Sequence, residues 1–183
     1  MMKTVVIFKS KTGFARKYAE WIAAALGADL FEASKIAPER LAAYDTVIYG
    51  GGLYAVGING VKLITGNLDQ LDGKKVVVFA TGASSASDKA ISDVVAKNFT
   101  PEQQRRIRFF YLRGGFNYHQ LRFFDKLLMT LLKWNIMGKK ELTPDEQGML
   151  AAFDEPADFT DKRNIDELIA YIKQPSPDEA TGR

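Results

Sequence analysis

Three short polar segments hold most of the chemistry this chain can offer. In Ser10-Lys11-Thr12-Gly13, two hydroxyls, a cation and a glycine stand immediately ahead of an apolar-periodic run that starts at Phe14. A helix starting there would present unpaired N–H groups, and the glycine lets a ligand approach the backbone closely. Those are the parts of an anion site at a helix N-terminus. Ser10 or Thr12 acting as a plain N-cap is the alternative. The second segment follows Tyr49 as Gly50-Gly51-Gly52 and runs to Ile58; the third is Thr81–Ser87. Arg113-Gly114-Gly115-Phe116 closes a further strand-like run, its arginine either meeting an anionic substrate or standing in solvent. No G-x-x-x-x-G-K-[ST] and no G-x-G-x-x-G occurs, so the phosphate-loop and dinucleotide folds are set aside. A metal-binding receiver domain needs acids after its first strand, where this chain has Lys9-Ser10-Lys11.

The chain has no cysteine and a single histidine, His119. Disulfides, thiolate zinc sites, iron–sulfur ligation and a cysteine nucleophile are thereby excluded, and a multi-histidine metal centre is poorly supported. No catalytic or metal-ligating side chain is expected. Redox or transfer chemistry then belongs to a bound cofactor.

The segments that must position these loops alternate in type. Lys3–Phe8, Asp29–Ala33, Thr46–Tyr49, Lys75–Ala80 and Ile107–Leu112 read as strands, the β-branched ones as buried on both faces. Phe14–Leu26 reads as a helix, with Ala15, Tyr18, Ile22 and Ala25 on one side and Gly27 as its stop. Pro38–Ala43 reads as a helical turn, Asn59–Leu71 and Asp88–Asn98 as helices, and Asp72-Gly73 as a turn. Thr100-Pro101-Glu102 is expected to break the pattern. Such alternation predicts a parallel, doubly wound sheet, whose ligands bind at the carboxyl ends of the strands.

Beyond the fifth strand, Tyr118–Met137 predicts a long amphipathic helix. Arg122, Asp125, Lys126, Thr130 and Lys133 fall on one side. Phe123, Phe124, Leu127, Leu128, Leu131, Leu132 and Trp134 fill the other. Polar residues 141–162 and a helix at Ile165–Ile172 follow, and residues 175–183 read as a flexible tail. Residues 103–140 carry nine Lys or Arg against one acid, whereas 141–183 carry eleven acids against four bases. This asymmetry points to an anionic partner, or to the two halves pairing with each other.

At 183 residues the chain suits one domain, expected over 1–174 with 118–162 as a helical, basic insertion and loop. The apolar N-terminal run is too short for a signal core or a membrane span, so a cytoplasmic location is expected. Asn98-Phe99-Thr100 fits a glycosylation acceptor and is read as chance.

Ser10-Lys11-Thr12-Gly13-Phe14-Ala15 resembles the flavodoxin phosphate-loop pattern S/T-x-T-G-x-T, with Ala15 where the family carries a second threonine and Phe14 where a small polar residue is commoner. Tyr49-Gly50-Gly51-Gly52-Leu53-Tyr54-Ala55-Val56-Gly57 is similar to the second flavin loop of the branch containing menaquinone-dependent protoporphyrinogen oxidase, which also inserts a basic helical segment after its last sheet strand. The resemblance implies an α/β flavodoxin-like three-layer sandwich with a five-stranded parallel sheet of order 2-1-3-4-5. It implies FMN as cofactor, with Ser10, Lys11, Thr12, Gly13, Phe14 and Ala15 around its phosphate. Gly51, Gly52, Leu53, Tyr54, Ala55, Val56 and Gly57 would border the isoalloxazine ring, Tyr54 stacking on it or else packing on the sheet edge. Thr81, Gly82, Ala83 and Ser84 would supply donors near the pyrimidine side, or form an ordinary turn capped by Ser87 or Asp88. The implied function is electron transfer, or an FMN-dependent oxidoreductase of the protoporphyrinogen-oxidase type. A soluble shuttle to a protein partner and an FMN-free interaction module are the alternatives. The expected partner is a redox protein or a quinone, with peripheral contact to the inner face of a membrane through 118–140; no nucleic acid is expected.

Overall fold

The computed structural model describes residues 3–54, 56–85, 87–116, 118, 123–139, 141–154 and 156–174. Its elements in chain order are β1 (Thr4–Lys9), α1 (Phe14–Leu26), β2 (Asp29–Glu32), β3 (Thr46–Tyr54), β4 (Gly57–Ile58), α2 (Lys62–Thr65), β5 (Lys75–Gly82), α3 (Asp88–Asn98), α4 (Pro101–Arg106), β6 (Ile107–Arg113), β7 (Gly115–Phe116), α5 (Phe123–Met137), α6 (Pro144–Asp154), β8 (Ala157–Asp158) and α7 (Asp166–Lys173). Short 3-10 turns occupy Ala33–Lys35, Pro38–Ala43, Leu68–Leu71 and Lys162–Ile165.

Strands β2-β1-β3-β5-β6 pair in parallel in that order, which is the expected 2-1-3-4-5 when only the parallel strands are numbered. Both faces of the inner strands are apolar. Val5, Ile7, Val47, Tyr49, Val76, Val78 and Ala80 point to one layer, closed by residues of α2, α3 and the 3-10 turns. Val6, Ile48, Val77 and Phe79 point to the other, closed by α1 and α7. Period-2 alternation gives no contrast when both faces are buried, so such strands read as continuous apolar runs.

Several boundaries differ from the sequence expectation, each for a physical reason. The strand expected to stop at Tyr49 continues through Gly50-Gly51-Gly52 to Tyr54, because β5 pairs with the glycines and β4 with Leu53 and Tyr54. The helix expected over Asn59–Leu71 reduces to α2 and a 3-10 turn. The expected break at Thr100-Pro101-Glu102 is instead the start of α4. Thr100 accepts from the Gln103 N–H, Gln103 reaches back to the Thr100 N–H, and Pro101 occupies the first turn, where no N–H is needed. Residues 141–162, expected as a polar stretch, contain α6 and β8.

Helix α5 begins at Phe123. Among its described polar residues Lys126, Thr130 and Lys133 are half-buried and Asn135 is exposed. The Thr130 hydroxyl bonds with the Tyr118 hydroxyl at 2.8 Å, and the Lys133 ammonium lies 5.0 Å from the Phe153 ring. Leu131, Trp134 and Met137 are 53%, 67% and 61% exposed. Arg122, His119, Lys140 and residues 175–183 lie outside the described residues. No helix among the described residues is long and apolar enough to cross a membrane.

Candidate functional site

Register brings the three polar loops to one edge of the sheet. Lys9 pairs with Gly51, Gly52 with Thr81, and Gly82 with Arg113. All are at carboxyl ends of parallel strands, so the loops that follow share one rim.

The first loop is shaped by Gly13, whose φ of +88° is left-handed and whose missing Cβ would face open space. The Ser10 hydroxyl oxygen accepts from the Gly13 N–H at 3.0 Å, bracing the turn before the helix. Gly13 is itself the N-cap of α1, and no side chain caps the helix. The first intrahelical bond runs from the Lys17 N–H to the Gly13 carbonyl at 2.9 Å. Neither Ser10 nor Thr12 therefore serves as the N-cap, and the opening N–H groups of a 13-residue helix stay available. The Ala15 methyl is buried among Tyr18, Ala19 and Ile22, so only its backbone faces the rim. Phe14 packs away from the loop: a Cβ on Gly115 would sit 2.6 Å from its ring, and one on Gly114 would sit 3.3 Å from its Cβ. Lys11 is exposed and Thr12 half-buried.

The second loop is a hairpin between β3 and β4. A side chain at Gly50 would collide with the Phe79 ring. One at Gly51 would meet the Asn59 carbonyl at 2.7 Å and the Ile58 side chain at 2.9 Å. The fold itself thus demands these two glycines. At Gly52 and Gly57 a Cβ would meet nothing closer than 3.9 and 3.5 Å, ordinary contact distances. Leu53 and Tyr54 are half-buried and Val56 is exposed; Ala55 lies outside the described residues. The Lys11 ammonium lies 4.0 Å from the centre of the Tyr54 ring, which joins the first loop to the second. Below them the Tyr49 hydroxyl donates to the Asn59 carbonyl at 2.7 Å. Burial pushes this phenol well above its ordinary value, so it stays a neutral donor.

The third loop is clamped by the edge strand β6. The Tyr111 hydroxyl donates to the Ser84 carbonyl at 2.7 Å, the Gly114 N–H to the Gly82 carbonyl at 2.8 Å, and Arg113 Nε to the Ala83 carbonyl at 3.4 Å. Thr81 is buried, Gly82 and Ala83 are half-buried, and Ser84 is exposed. Ser87 caps α3 by accepting from the Ala90 N–H at 3.2 Å. The Arg113 guanidinium, exposed to solvent, also lies over the Phe159 ring at 4.0 Å.

Two side chains that organise the rim carried no signal as isolated residues. Asn98, at the end of α3, bonds the hairpin through the Ile58 N–H and the Val56 carbonyl. Tyr18 donates to the Arg113 carbonyl at 2.6 Å and accepts from Asn164 Nδ2 at 2.8 Å. That joins α1, β6 and the 3-10 turn before α7. Beside Gly13 a shallow pocket of about 280 Å³ is lined by Thr12, Phe14, Lys17, Pro156, Ala157 and Asp158.

The sequence model of the flavodoxin domain matches residues 5–143. Among solved structures, oxidised Flavodoxin 1 from Bacillus cereus is 21% identical, covering 61% of this chain and 84% of its own, with a TM-score of 0.43. Two-electron reduced Megasphaera elsdenii flavodoxin is 16% identical, with 59% and 84% covered and a TM-score of 0.45. No curated protein matches the sequence.

Proposed function

Because the chain belongs to the flavodoxin domain family, we propose that these three loops hold FMN and that the protein moves electrons through it. The supporting observation is the uncapped N-terminus of α1 behind a left-handed Gly13. Free N–H groups, the Thr12 hydroxyl and the Lys11 charge form a donor set suited to a phosphate dianion. Backbone donors make up for the hydroxyl that Ala15 lacks. Tyr54, Gly52 and Gly57 would border the ring, and Thr81–Ser84 would offer donors near its pyrimidine side. Lys11 reaches both the phosphate loop and the Tyr54 face, so it orients the two ends together. FMN, when bound, supplies one- and two-electron chemistry. The chain contributes binding, orientation and exclusion of water.

Titrating apoprotein with FMN tests this directly. Thr12→Ala is expected to weaken binding by about 1–2 kcal/mol, the scale of a hydrogen bond to a charged group. Wild-type protein that takes up no flavin would overturn the reading and favour an interaction module.

The finer reading is an oxidoreductase of the protoporphyrinogen-oxidase type working beside an anionic bilayer. Supporting it, α5 exposes Leu131, Trp134 and Met137 within a strongly basic stretch of sequence. Sedimentation with anionic vesicles tests the surface. Leu131→Ser with Trp134→Ser should release the protein, and wild type that ignores such vesicles at low salt would overturn the membrane role and favour a soluble shuttle.

A further inference from the structure

We infer that Asn98 is the positioning residue of the flavin-ring loop, acting from the opposite end of α3 through both halves of its amide. The inference rests on the FMN reading for its functional meaning but on hydrogen-bond geometry for its substance.

The hairpin after β3 has little of its own to define its tip. Its ladder consists of two pairs, Leu53 with Ile58 and Tyr54 with Gly57, plus the Asn59 N–H to the Gly52 carbonyl at 3.0 Å. Beyond the ladder, Val56 is exposed. A two-pair hairpin in water has marginal stability. Asn98 supplies what is missing. Its Oδ1 accepts from the Ile58 N–H at 2.8 Å, and its Nδ2 donates to the Val56 carbonyl at 2.6 Å and to the Val94 carbonyl at 2.7 Å. Both amide hydrogens are used, and the partners permit only one orientation of the group.

The anchor is rigid because its own surroundings are. Val94 is buried one turn earlier, and Phe99, the next residue, is buried against Phe109 with ring centres 6.2 Å apart. Thr100 then opens α4 with a reciprocal cap to Gln103. Asn98 therefore carries the fixed frame of the α3–α4 corner to a hairpin 40 residues away in sequence. Asn98 and the exposed Thr100 are both engaged in hydrogen bonds of the fold, so the Asn-Phe-Thr triplet has a structural role.

Asn98→Asp and Asn98→Ala decide the matter, read by amide hydrogen exchange on apoprotein and by titration with FMN and with riboflavin. The aspartate has the shape of asparagine but sets an oxygen against the Val56 and Val94 carbonyls. Exchange at the Ile58 amide is expected to rise about tenfold in either variant, with β1 and β5 unchanged. FMN and riboflavin should weaken by the same factor, again about tenfold, because the loss concerns the ring and not the phosphate. Thr12→Ala should instead weaken FMN and spare riboflavin. Folded variants that bind both flavins as tightly as wild type would overturn the inference. So would loss of the fold in both variants, which would make Asn98 a general structural residue. Wild type that binds neither flavin would refute the FMN reading, while the exchange data would still judge the anchoring of the hairpin.

Discussion

The parallel sheet and the segment between β7 and β8 are secured in opposite ways. Within the sheet, β1, β3 and β5 are sealed on both faces, with Val5, Val6, Ile7, Val47, Ile48, Val77 and Val78 fully buried. Position there follows from packing, where displacement of one side chain is felt by all its neighbours. The segment between β7 and β8 is instead bracketed by a pair of two-residue strands. Gly115 and Phe116 lie opposite Asp158 and Ala157. This clasp rests on the first turns of α1, through Phe14 against Gly115 and through Lys17, which donates to Asp158 at 3.0 Å and to Thr160 at 2.7 Å. Inside the segment Phe153 packs against Phe116 and Tyr118 at 5.4 and 5.1 Å. The rim loops are thus built on a rigid platform, while the added segment is tied, among the described residues, by a seam that adjoins the Ser10–Gly13 loop.

The contrast predicts where damage is large and where it is graded. The strongest test lies in the sheet, at Gly50. Its backbone lies under the ring of fully buried Phe79, in the register-paired position. Gly50→Val should cost about 3 kcal/mol or more through overpacking, read as a fall in urea midpoint. A variant of wild-type stability would show that the platform yields, and the contrast would lose its basis.

The next test addresses the seam. Tyr18 is fully buried, and its hydroxyl meets the Arg113 carbonyl, Asn164 and the Asp161 N–H. Tyr18→Phe leaves those partners unsatisfied and should cost about 1–3 kcal/mol. Proteolysis within 117–156 should quicken while exchange in β1 and β5 stays slow. Equal loosening of sheet and segment would merge the two regions into one cooperative unit.

How much of this is legible in the sequence depends on the range of the interaction. Helix α1 is delimited by two glycines, Gly13 and Gly27, both left-handed in the structure, and its bounds follow from local spacing. Helices α4 and α6 were hidden behind one shared signal. Thr100-Pro101 reads as a breaker and Thr143-Pro144 as part of a polar stretch, yet each threonine is followed three residues on by a residue that returns its cap, Gln103 or Glu146. The capping box outweighs the proline, which at the first helical position lacks only an N–H that would be unpaired anyway. The glycines of β3 were beyond local reading, because Phe79 and Asn59 are what require them. The same holds for Asn98 and Tyr18, whose partners in other elements lie 40 to 146 residues away. For the rim, the three segments and their order could be read, but not the side chains that brace them.

The smallest expected effect is the pH response of the seam. Burial alone would raise the Asp158 carboxyl, but hydrogen bonds from Thr160, with the Lys17 ammonium, outweigh it and hold the group below the ordinary carboxylate range. A carboxyl depressed in the folded state stabilises the protein above the pKa it has when unfolded, about 4. That contribution disappears as pH falls through the lower folded value, when both states carry the proton. The two side chains are 41% and 52% exposed, so solvent and salt screen the pair. Its worth should be under about 1 kcal/mol. Thermal melts of wild type and Asp158→Asn should differ modestly at pH 7, converge toward pH 3, and draw closer in 1 M salt to the extent that Lys17 rather than Thr160 carries the effect. A gap that widens on acidification would reverse the sign and show that the seam strains the carboxylate. A gap of several kcal/mol at pH 7 would mean that the segment is locked as firmly as the sheet.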